Sequence, residues 1–128
     1  MIKVNVTTND NLVDKISISG HAMYDDYGKD IVCASVSTMV ITTVNAISRL
    51  RQNDITCNQD DGFVEIVINT HNSITDTLIE NLIDLLKELE QQYNKNLKTN
   101  RLITKLICFF FDIKFTFDII LLERSEKI

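Results

Sequence analysis

Two segments of the chain carry the apolar repeat of an α-helix, and each follows a pair of short segments with the alternating pattern of β-strands. From residue 31 to residue 51 apolar side chains recur every three or four positions, with no glycine or proline among them. Val, Ile, Thr and Ser crowd that segment and lower its helix propensity, but we expect burial to outweigh this preference. The second helix is predicted over residues 73–93, with one apolar stripe: Leu78, Leu82, Leu85, Leu89 and Tyr93.

The strand segments are joined in pairs by residues that favour tight turns. The alternating segments are residues 2–6, 13–19, 55–59 and 63–68. Thr8-Asn9-Asp10-Asn11 separates the first two and Asp60-Asp61-Gly62 the last two, so each pair is predicted to form a β-hairpin. The order strand, strand, helix, strand, strand, helix predicts an α+β fold, a mostly antiparallel sheet from two β-hairpins with two helices packed on one side.

The second helix opens on Ser73 and Asp76, which have the spacing of a capping box. Acidic side chains then recur at helical spacing: Asp76, Glu80, Asp84, Glu88 and Glu90. Because carboxylates in such a pattern usually form a solvated face, we interpret them in that way and predict no metal site there.

Charge and cysteine content narrow the function classes. The chain has 128 residues, the size of one domain, and a formal net charge of −5, which disfavours a general binder of nucleic acid or anionic membranes and favours basic partners. Its three cysteines form no C-x-x-C or C-x-x-H pair, which argues against a disulfide framework and a standard zinc site. The amino terminus shows no secretion signal, so we expect a cytoplasmic protein with a free thiol.

Residues 101–128 differ in composition from residues 1–100. They carry a net charge of +1 against −6, and five of the six phenylalanines lie between positions 109 and 117. Charged residues interrupt this stretch, so it holds no run long enough to span a membrane. Apolar and polar residues alternate from Phe111 to Ile119, which predicts an added edge strand. We therefore divide the chain into a folded domain, residues 1–100, and an atypical, strand-like C-terminal tail, residues 101–128.

The segment between the second strand and the first helix carries the residues best suited to chemistry. Gly20 and Gly28, two of the three glycines of the chain, bracket it and can act as hinges. Cys33 falls in the first turn of the predicted helix, where unpaired N–H groups and the helix dipole favour a thiolate. A loop that doubles back would bring His21 beside it as the base of a Cys-His dyad. The alternative is a buried structural cysteine, because cysteine is among the most often buried residue types.

The residues around this pair resemble the signature of the bacterial ribosomal-processing cysteine protease family, Prp. The matching residues are Gly20-His21-Ala22, then Tyr27-Gly28-Lys29-Asp30-Ile31-Val32-Cys33-Ala34, then Ser37. A looser match runs over residues 1–100 and includes Val44-Asn45-Ala46-Ile47 and Tyr93-Asn94-Lys95-Asn96. The resemblance implies a homodimeric α+β cysteine protease without a cofactor. Its expected reaction removes the N-terminal extension of a large-subunit ribosomal protein, number twenty-seven of that subunit, after an aromatic pair.

In that family the residues that match His21 and Cys33 form the catalytic dyad, so the resemblance assigns them these roles. His21 would take the Cys33 proton, the thiolate would attack the scissile carbonyl, and His21 would protonate the leaving amine before water hydrolyses the thioester. Backbone N–H groups at the start of the first helix are candidates for stabilising the oxyanion. The acidic chain suits a basic ribosomal protein precursor, and neither nucleic acid nor a membrane is an expected partner.

Three further residues are predicted to support the dyad. Asp30 either caps the helix by accepting the Cys33 N–H, which is then lost to an oxyanion, or orients His21 as a third catalytic group. The Ser37 hydroxyl shares a helix face with Cys33 and would touch the thiol or bond back to the Cys33 carbonyl. Tyr27 would line a cleft that accepts an aromatic side chain.

Two other functions fit the same residues. One is a non-catalytic ribosome-assembly binding factor, although the presence of both His21 and Cys33 argues against it. The other is a thiol redox protein, in which Cys57 or Cys108 would have to act as the resolving cysteine. Otherwise we interpret Cys57 as strand packing, Cys108 as tail packing and His71 as a loop residue.

The tail has two interpretations under the protease hypothesis. Phe109-Phe110-Phe111 resembles the aromatic run that such an enzyme would recognise, so the tail could occupy and inhibit the cleft. The simpler interpretation is a poorly packed extension past the usual end of the family.

Overall fold

The computed structural model describes residues 1–26 and 28–103 together with the backbone of residues 104–107 and 118–124. Its elements are β1 (Ile2–Asn9), β2 (Leu12–Ser19), α1 (Ile31–Leu50), β3 (Ile55–Asp60), β4 (Phe63–Ile68), α2 (Ser73–Gln92), β5 (Leu97–Ile107) and β6 (Asp118–Arg124). Within this described part the strands form one six-stranded sheet in the order β3-β4-β2-β1-β5-β6. Neighbouring strands run antiparallel except β1 and β5, which are parallel. The predicted α+β class and its mostly antiparallel sheet are confirmed.

Both hairpins turn at residues that tolerate positive φ angles. Asp10 and Asn11 join β1 to β2 with φ angles of 51° and 64°, the conformation that matches the twist of a two-residue hairpin. Gly62 closes the β3–β4 turn with a φ of 65°. The second turn places Gly62 beside the end of β2, a position that matters for the site described below.

One face of the sheet forms the core, and both helices cover it. The buried strand residues alternate along the chain, as Ile2, Val4 and Val6 do in β1, while Lys3 and Asn5 point to the opposite face. Burying each of these aliphatic side chains contributes about 1.5–3 kcal/mol. The core of the sheet is completed by Val13, Ile16, Ile18, Ile66, Ile68 and Leu97.

Helix α1 is unusually apolar. A window of it reaches a mean hydropathy of 1.7, so by length and composition alone it could also cross a membrane, a test that the core helix of a globular domain passes as well. Here one side of the helix packs into the core through Val32, Val36, Val40 and Ile47. Burial thus outweighs the β-branched content of the segment, as the apolar repeat predicts.

Helix α2 differs in three details from the sequence prediction. Its N-cap is Asn72, whose Oδ1 accepts the Thr75 N–H at 3.1 Å, so the predicted capping box at Ser73 is wrong. Its buried stripe is Ile79, Leu82, Ile83, Leu86 and Leu89, with Leu78 and Leu85 only half-buried at its margin. Glu90 is buried rather than solvated, because it accepts the backbone N–H of Thr99 in β5.

Strand β5 is the element that sequence analysis missed. It pairs in parallel with β1, from Ile2 beside Leu97 to Asn9 beside Thr104. The polar residue Arg101 interrupts its apolar alternation, and in the fold this side chain bridges Glu80 of α2 at 2.6 Å. The strand runs across position 100, where the composition changes.

The remainder of the C-terminal tail is only partly described. Strand β6 pairs antiparallel with β5 and forms an edge of the sheet in the part of the chain that is described. Residues 108–117 and 125–128 lie outside the described residues. The strand predicted over residues 111–119 therefore lies outside them too, apart from its last two positions, which begin β6. Cys108 and the phenylalanine run are likewise not described.

His71 links α2 to β2 through two carboxylates. Its Nδ1 lies 2.8 Å from Asp76 Oδ1 and its Nε2 lies 3.3 Å from Asp14 Oδ1. The hydrogen bond with Asp76, and secondarily that with Asp14, raises the pKa of His71 above its ordinary value, against a smaller opposing effect of burial. The contacts of protonated His71 with the two carboxylates therefore stabilise the fold fully at pH values below the ordinary pKa of histidine. This stabilisation is lost as the pH rises through the higher folded-state pKa.

We therefore expect His71→Gln to be pH-dependent in its effect. Relative to wild type it should lose up to about 1 kcal/mol of folding free energy near pH 6, and less than half of that above pH 9. Urea unfolding at the two pH values measures the difference. An equal loss at both values would show that the charged form of His71 contributes nothing.

Candidate active site

The loop between β2 and α1 is fixed at its first residue. The Gly20 N–H donates to the Gly62 carbonyl at 2.9 Å, which ties the end of β2 to the β3–β4 turn. Gly20 has a φ of 94°, and a Cβ there would overlap the carbonyl oxygen of Met1. Gly28 also has a positive φ, 85°, but a Cβ there would meet open space. The backbone at both positions therefore favours glycine, and only at Gly20 does the surrounding structure also require it.

Cys33 lies in the first turn of α1 and is half-buried. Its Sγ accepts a hydrogen bond from the Ala22 N–H at 3.4 Å. Ala22 itself is buried, so the loop doubles back and places its own backbone against the sulfur. Since neighbouring Cα atoms are about 3.8 Å apart, this contact also brings the backbone of His21 close to Cys33.

The His21 side chain is exposed and lies over the β3–β4 turn. Its Nε2 is 3.2 Å from where a Cβ of Gly62 would be, so the ring occupies space that only glycine leaves free. Among the described residues, no hydrogen bond joins His21 to Cys33. The fold brings both side chains to one cleft without forming the bond between them.

Asp30 is buried and organises the backbone around Cys33. Its Oδ1 accepts the N–H groups of Val32 at 2.9 Å and Cys33 at 3.1 Å, and its Oδ2 accepts those of Tyr24 at 2.9 Å and Asp25 at 3.3 Å. Burial acts to raise the pKa of Asp30, but these four N–H groups together outweigh it and hold the pKa below its usual value. Both oxygens are engaged by backbone, so the geometry is that of an N-cap and not of a group that orients His21.

The same contacts remove the predicted source of the oxyanion donors. Asp30 Oδ1 takes the N–H groups of Val32 and Cys33, and the Asp30 carbonyl takes that of Ala34 at 3.0 Å. The expectation that helix-start N–H groups stabilise an oxyanion is therefore wrong for these three. Their bonding capacity is already used by the cap.

Ser37 lies one turn after Cys33 and lines the same cleft, where it is exposed. Neither of its predicted bonds, to the thiol or to the Cys33 carbonyl, is present in the described part of the molecule. By contrast Ser35 and Thr38 do bond back to carbonyls one turn earlier, at 2.7 Å and 2.8 Å. Tyr27, predicted to contact substrate, lies outside the described residues.

The cleft has a volume of about 770 Å³ and runs between α1 and the β3–β4 hairpin. Along α1 it is lined by residues one turn apart, Cys33, Ser37, Ile41 and Asn45. The opposite wall includes Cys57, Gln59 and Val64, and the loop adds His21 and Met23. A nucleophile at one end of an open, largely apolar groove is an arrangement that can bind an extended peptide and attack it.

Comparison with known proteins identifies the family of the chain. The family model described as cysteine protease Prp matches residues 1–98. The chain belongs to the Prp family of cysteine proteases. A relative from Staphylococcus aureus, the ribosomal processing cysteine protease Prp, is 35% identical over 104 residues, which are 78% of this chain and 98% of the relative.

Solved Prp structures share the fold. The crystal structure of an essential ribosomal processing protease Prp from S. aureus with a covalently linked product peptide has a TM-score of 0.75 and 34% identity, over 79% of this chain and 99% of that one. A second structure of the S. aureus protease, in complex with a substrate peptide, has a TM-score of 0.70 and 33% identity over the same shares. The fold and the protease class of this chain therefore rest on relatives that were solved with peptides.

Several residues of this Prp site were not found from sequence. Gly62 and Met23 line the cleft, and Met23 is 78% exposed with a left-handed φ of 57°, which is uncommon outside glycine. No local signal marks Gly62, because its contact with His21 depends on the pairing of β2 with β4. The part of the chain that the structure describes holds no cluster of three or more His, Cys, Asp or Glu side chains suited to a metal.

Cys57 also lies in the Prp cleft, so its interpretation as strand packing is wrong. It is exposed on β3 beside the buried Ile66 of β4, on the sheet face that the helices cover elsewhere. Strand β3 is an edge strand of the described sheet. Cys57 and Cys33 are both free thiols.

Although Cys57 is exposed as a whole residue, partial burial of its thiol raises the pKa above its ordinary value, which lowers the fraction of nucleophilic thiolate at neutral pH. We expect iodoacetamide to alkylate Cys57 more slowly, at neutral pH, than it alkylates the same cysteine in an unstructured peptide. Mass-spectrometric mapping of the labelled sites over time measures both rates. Faster labelling of Cys57 than of the peptide would restore the redox hypothesis.

Proposed function

We propose that this chain is an endopeptidase that removes the N-terminal extension of a large-subunit ribosomal protein, number twenty-seven of that subunit, after an aromatic pair. The observation that carries the proposal is the position of Cys33, in the first turn of α1 at one end of the cleft, with His21 on the facing loop. Relatives named ribosomal processing proteases, one solved with a substrate peptide, support the substrate class.

The proposed chemistry uses His21 as base and Cys33 as nucleophile. His21 turns from its place over Gly62, takes the Sγ proton, and the thiolate forms a bond to the scissile carbonyl carbon. Collapse of the tetrahedral intermediate breaks the C–N bond, and the imidazolium gives its proton to the leaving amine. Water activated by His21 then cleaves the thioester and releases the acid product with the free thiol.

The oxyanion donors are placed by this proposal in the loop rather than in α1. The Val32 and Cys33 N–H groups of α1 are bound to Asp30, and so are the Tyr24 and Asp25 N–H groups of the loop. Met23 lines the cleft next to Ala22, whose N–H bonds to Cys33 Sγ, and has a left-handed φ of 57°. Strained backbone of this kind is common where a site is organised before substrate binds.

The proposal includes the setting of the enzyme. We place it in the cytoplasm as a homodimer that contacts neither nucleic acid nor a membrane directly. A net charge of −5 supports a basic substrate protein.

The test is cleavage of a basic peptide with an internal Phe-Phe-Ala sequence, followed by mass spectrometry. Wild type should cut between Phe and Ala, while Cys33→Ala and His21→Ala should leave the peptide intact. Cutting by Cys33→Ala would contradict the assignment of the nucleophile. Cutting only at a different bond would contradict the aromatic-pair specificity and leave the dyad standing.

A negative result also has a definite meaning. If wild type leaves the peptide intact and Cys33→Ala still retains it in a pull-down, the chain is either a binding factor for the ribosomal protein or a protease whose cleft the tail blocks. A variant that ends at residue 107 then tests whether the tail blocks the cleft.

A further inference from the structure

Asn96 contacts the catalytic loop, the segment between β2 and α1 that carries His21, from outside the cleft. It lies between α2 and β5, and its Nδ2 donates to the Ala22 carbonyl at 2.8 Å. Because a backbone carbonyl only accepts, the amide nitrogen must face it, which fixes the orientation of the side chain. Asn96 therefore holds Ala22, whose own N–H bonds to Cys33 Sγ.

The backbone of Asn96 is itself held on both sides. Its N–H donates to the Tyr93 carbonyl at 2.9 Å, and its carbonyl accepts the Ile2 N–H at 2.8 Å. The side chain thus projects from a point fixed by both the end of α2 and the start of β1. Such support makes a rigid anchor for the loop.

A second contact from the same turn holds the other side of the loop. The rings of Tyr24 and Tyr93 meet edge to face, with centroids 5.3 Å apart and planes at 87°. Ala22 and Tyr24 flank Met23, the residue with the left-handed φ. The α2–β5 turn therefore contacts the loop on both sides of Met23, at Ala22 and at Tyr24.

We propose that Asn96 is a positioning residue, which holds Ala22 so that its N–H stays on Cys33 Sγ and the backbone of His21 stays close to the nucleophile. The inference rests on the proposed function only in taking Cys33 as the nucleophile. Without the amide, Ala22 can move away from the sulfur, and the thiolate loses a hydrogen-bond donor. Asn96 does not touch substrate, so its loss should affect turnover and not binding.

The experiment compares Asn96→Asp, which keeps the shape but replaces the donor with an acceptor, with Asn94→Ala, an exposed position in the same turn. All proteins carry Cys57→Ser and Cys108→Ser, so that Cys33 is the only thiol, and this background is the reference. The first readout is the rate of iodoacetamide alkylation against pH. The second is the kcat and KM for the Phe-Phe-Ala peptide.

For Asn96→Asp we expect alkylation at neutral pH to slow roughly tenfold, the factor commonly carried by one hydrogen bond to a charged group, with the half-maximal rate moved to higher pH. The kcat should fall by a similar factor while KM stays within about twofold, and Asn94→Ala should match the reference in every readout. Because the carboxylate introduced by Asn96→Asp would by itself move the half-maximal rate to higher pH, Asn96→Leu, which removes the donor without adding a charge, must show the same shift. A purely structural role would lower the melting temperature of Asn96→Leu without moving its pH profile.

An unchanged alkylation profile in Asn96→Asp would overturn the proposal, whatever happens to peptide cleavage. Should that variant fail to fold, Asn96→Ser, whose hydroxyl is too short to reach Ala22, is judged by the same criterion. If alkylation shifts as expected but the reference protein cuts no peptide, the positioning role stands and the proposed substrate fails.

Discussion

An Asp30→Ala protein is expected to lose about 3 kcal/mol of folding free energy and most of its peptidase activity. The substitution removes both acceptor oxygens from four backbone N–H groups, two in α1 and two in the loop. Loss of the cap frays the helix turn that holds Cys33, and loss of the loop contacts frees the segment that carries His21. Urea unfolding and peptide cleavage measure the two effects.

The controls for Asp30 separate the cap from simple loss of charge. Asp30→Asn keeps one acceptor oxygen and should lie about midway between wild type and Asp30→Ala in stability. Asp26→Ala removes an exposed carboxylate from the same loop and should stay within about 0.5 kcal/mol of wild type. If Asp30→Ala unfolds at the same urea concentration as Asp26→Ala, the cap contributes nothing.

The low pKa of Asp30 adds a pH signature to the same comparison. The folded-state pKa of Asp30 is below the ordinary pKa of aspartate. The stabilisation that the ionised carboxylate provides is therefore present at pH values above the ordinary pKa and is lost as the pH falls through the folded-state pKa. The stability difference between wild type and Asp30→Ala should therefore narrow in strong acid.

The Gly20→Ala variant should also lose about 3 kcal/mol of folding free energy, whereas the Gly28→Ala variant should lose only about 1 kcal/mol. Both positions have a positive φ, so both variants carry backbone strain. Only at Gly20 does the new Cβ also meet backbone, the Met1 carbonyl, which cannot move without disturbing the first strand. Thermal unfolding of the two variants side by side measures the difference that is due to this overlap.

Equal losses of folding free energy in the two variants would show that backbone strain alone determines the loss and that the Met1 carbonyl moves to make room for the new Cβ. The comparison also concerns the proposed hinges. A glycine that is tied to Gly62 and packed against Met1 is a poor hinge, so loop movement in this enzyme should be centred on Gly28.

Periodicity predicted the two hairpins and both helices because each depends on near neighbours in the chain. Strand β5 escaped prediction because polar residues interrupt its apolar pattern. Arg101 has a side-chain partner on another element, Glu80 of α2, whereas the Thr99 hydroxyl is buried without a hydrogen-bond partner among the described residues and only the Thr99 backbone N–H donates to Glu90. The cap of α2 was displaced by one residue, since Asn72 and Ser73 are both good caps and packing selects between them.

The candidate site was predictable to the extent that it follows one continuous segment. His21, Asp30, Cys33 and Ser37 were all named from the sequence, and all four line the cleft. The sequence could not predict contacts between different elements, such as the packing of the His21 ring over Gly62. Such contacts depend on how β2, β4 and the α2–β5 turn meet in three dimensions.

The parallel pairing of β1 with β5 has a consequence for the timing of synthesis. It joins Ile2 to Leu97 across almost the whole matched region, and contacts so distant in sequence form slowly during folding. Asn96, which grips the catalytic loop, immediately precedes β5. While a chain is still emerging from the ribosome, Asn96 is not yet in place to hold the loop beside Cys33. We therefore expect the chain to cleave peptides only after β5 has emerged and paired with β1.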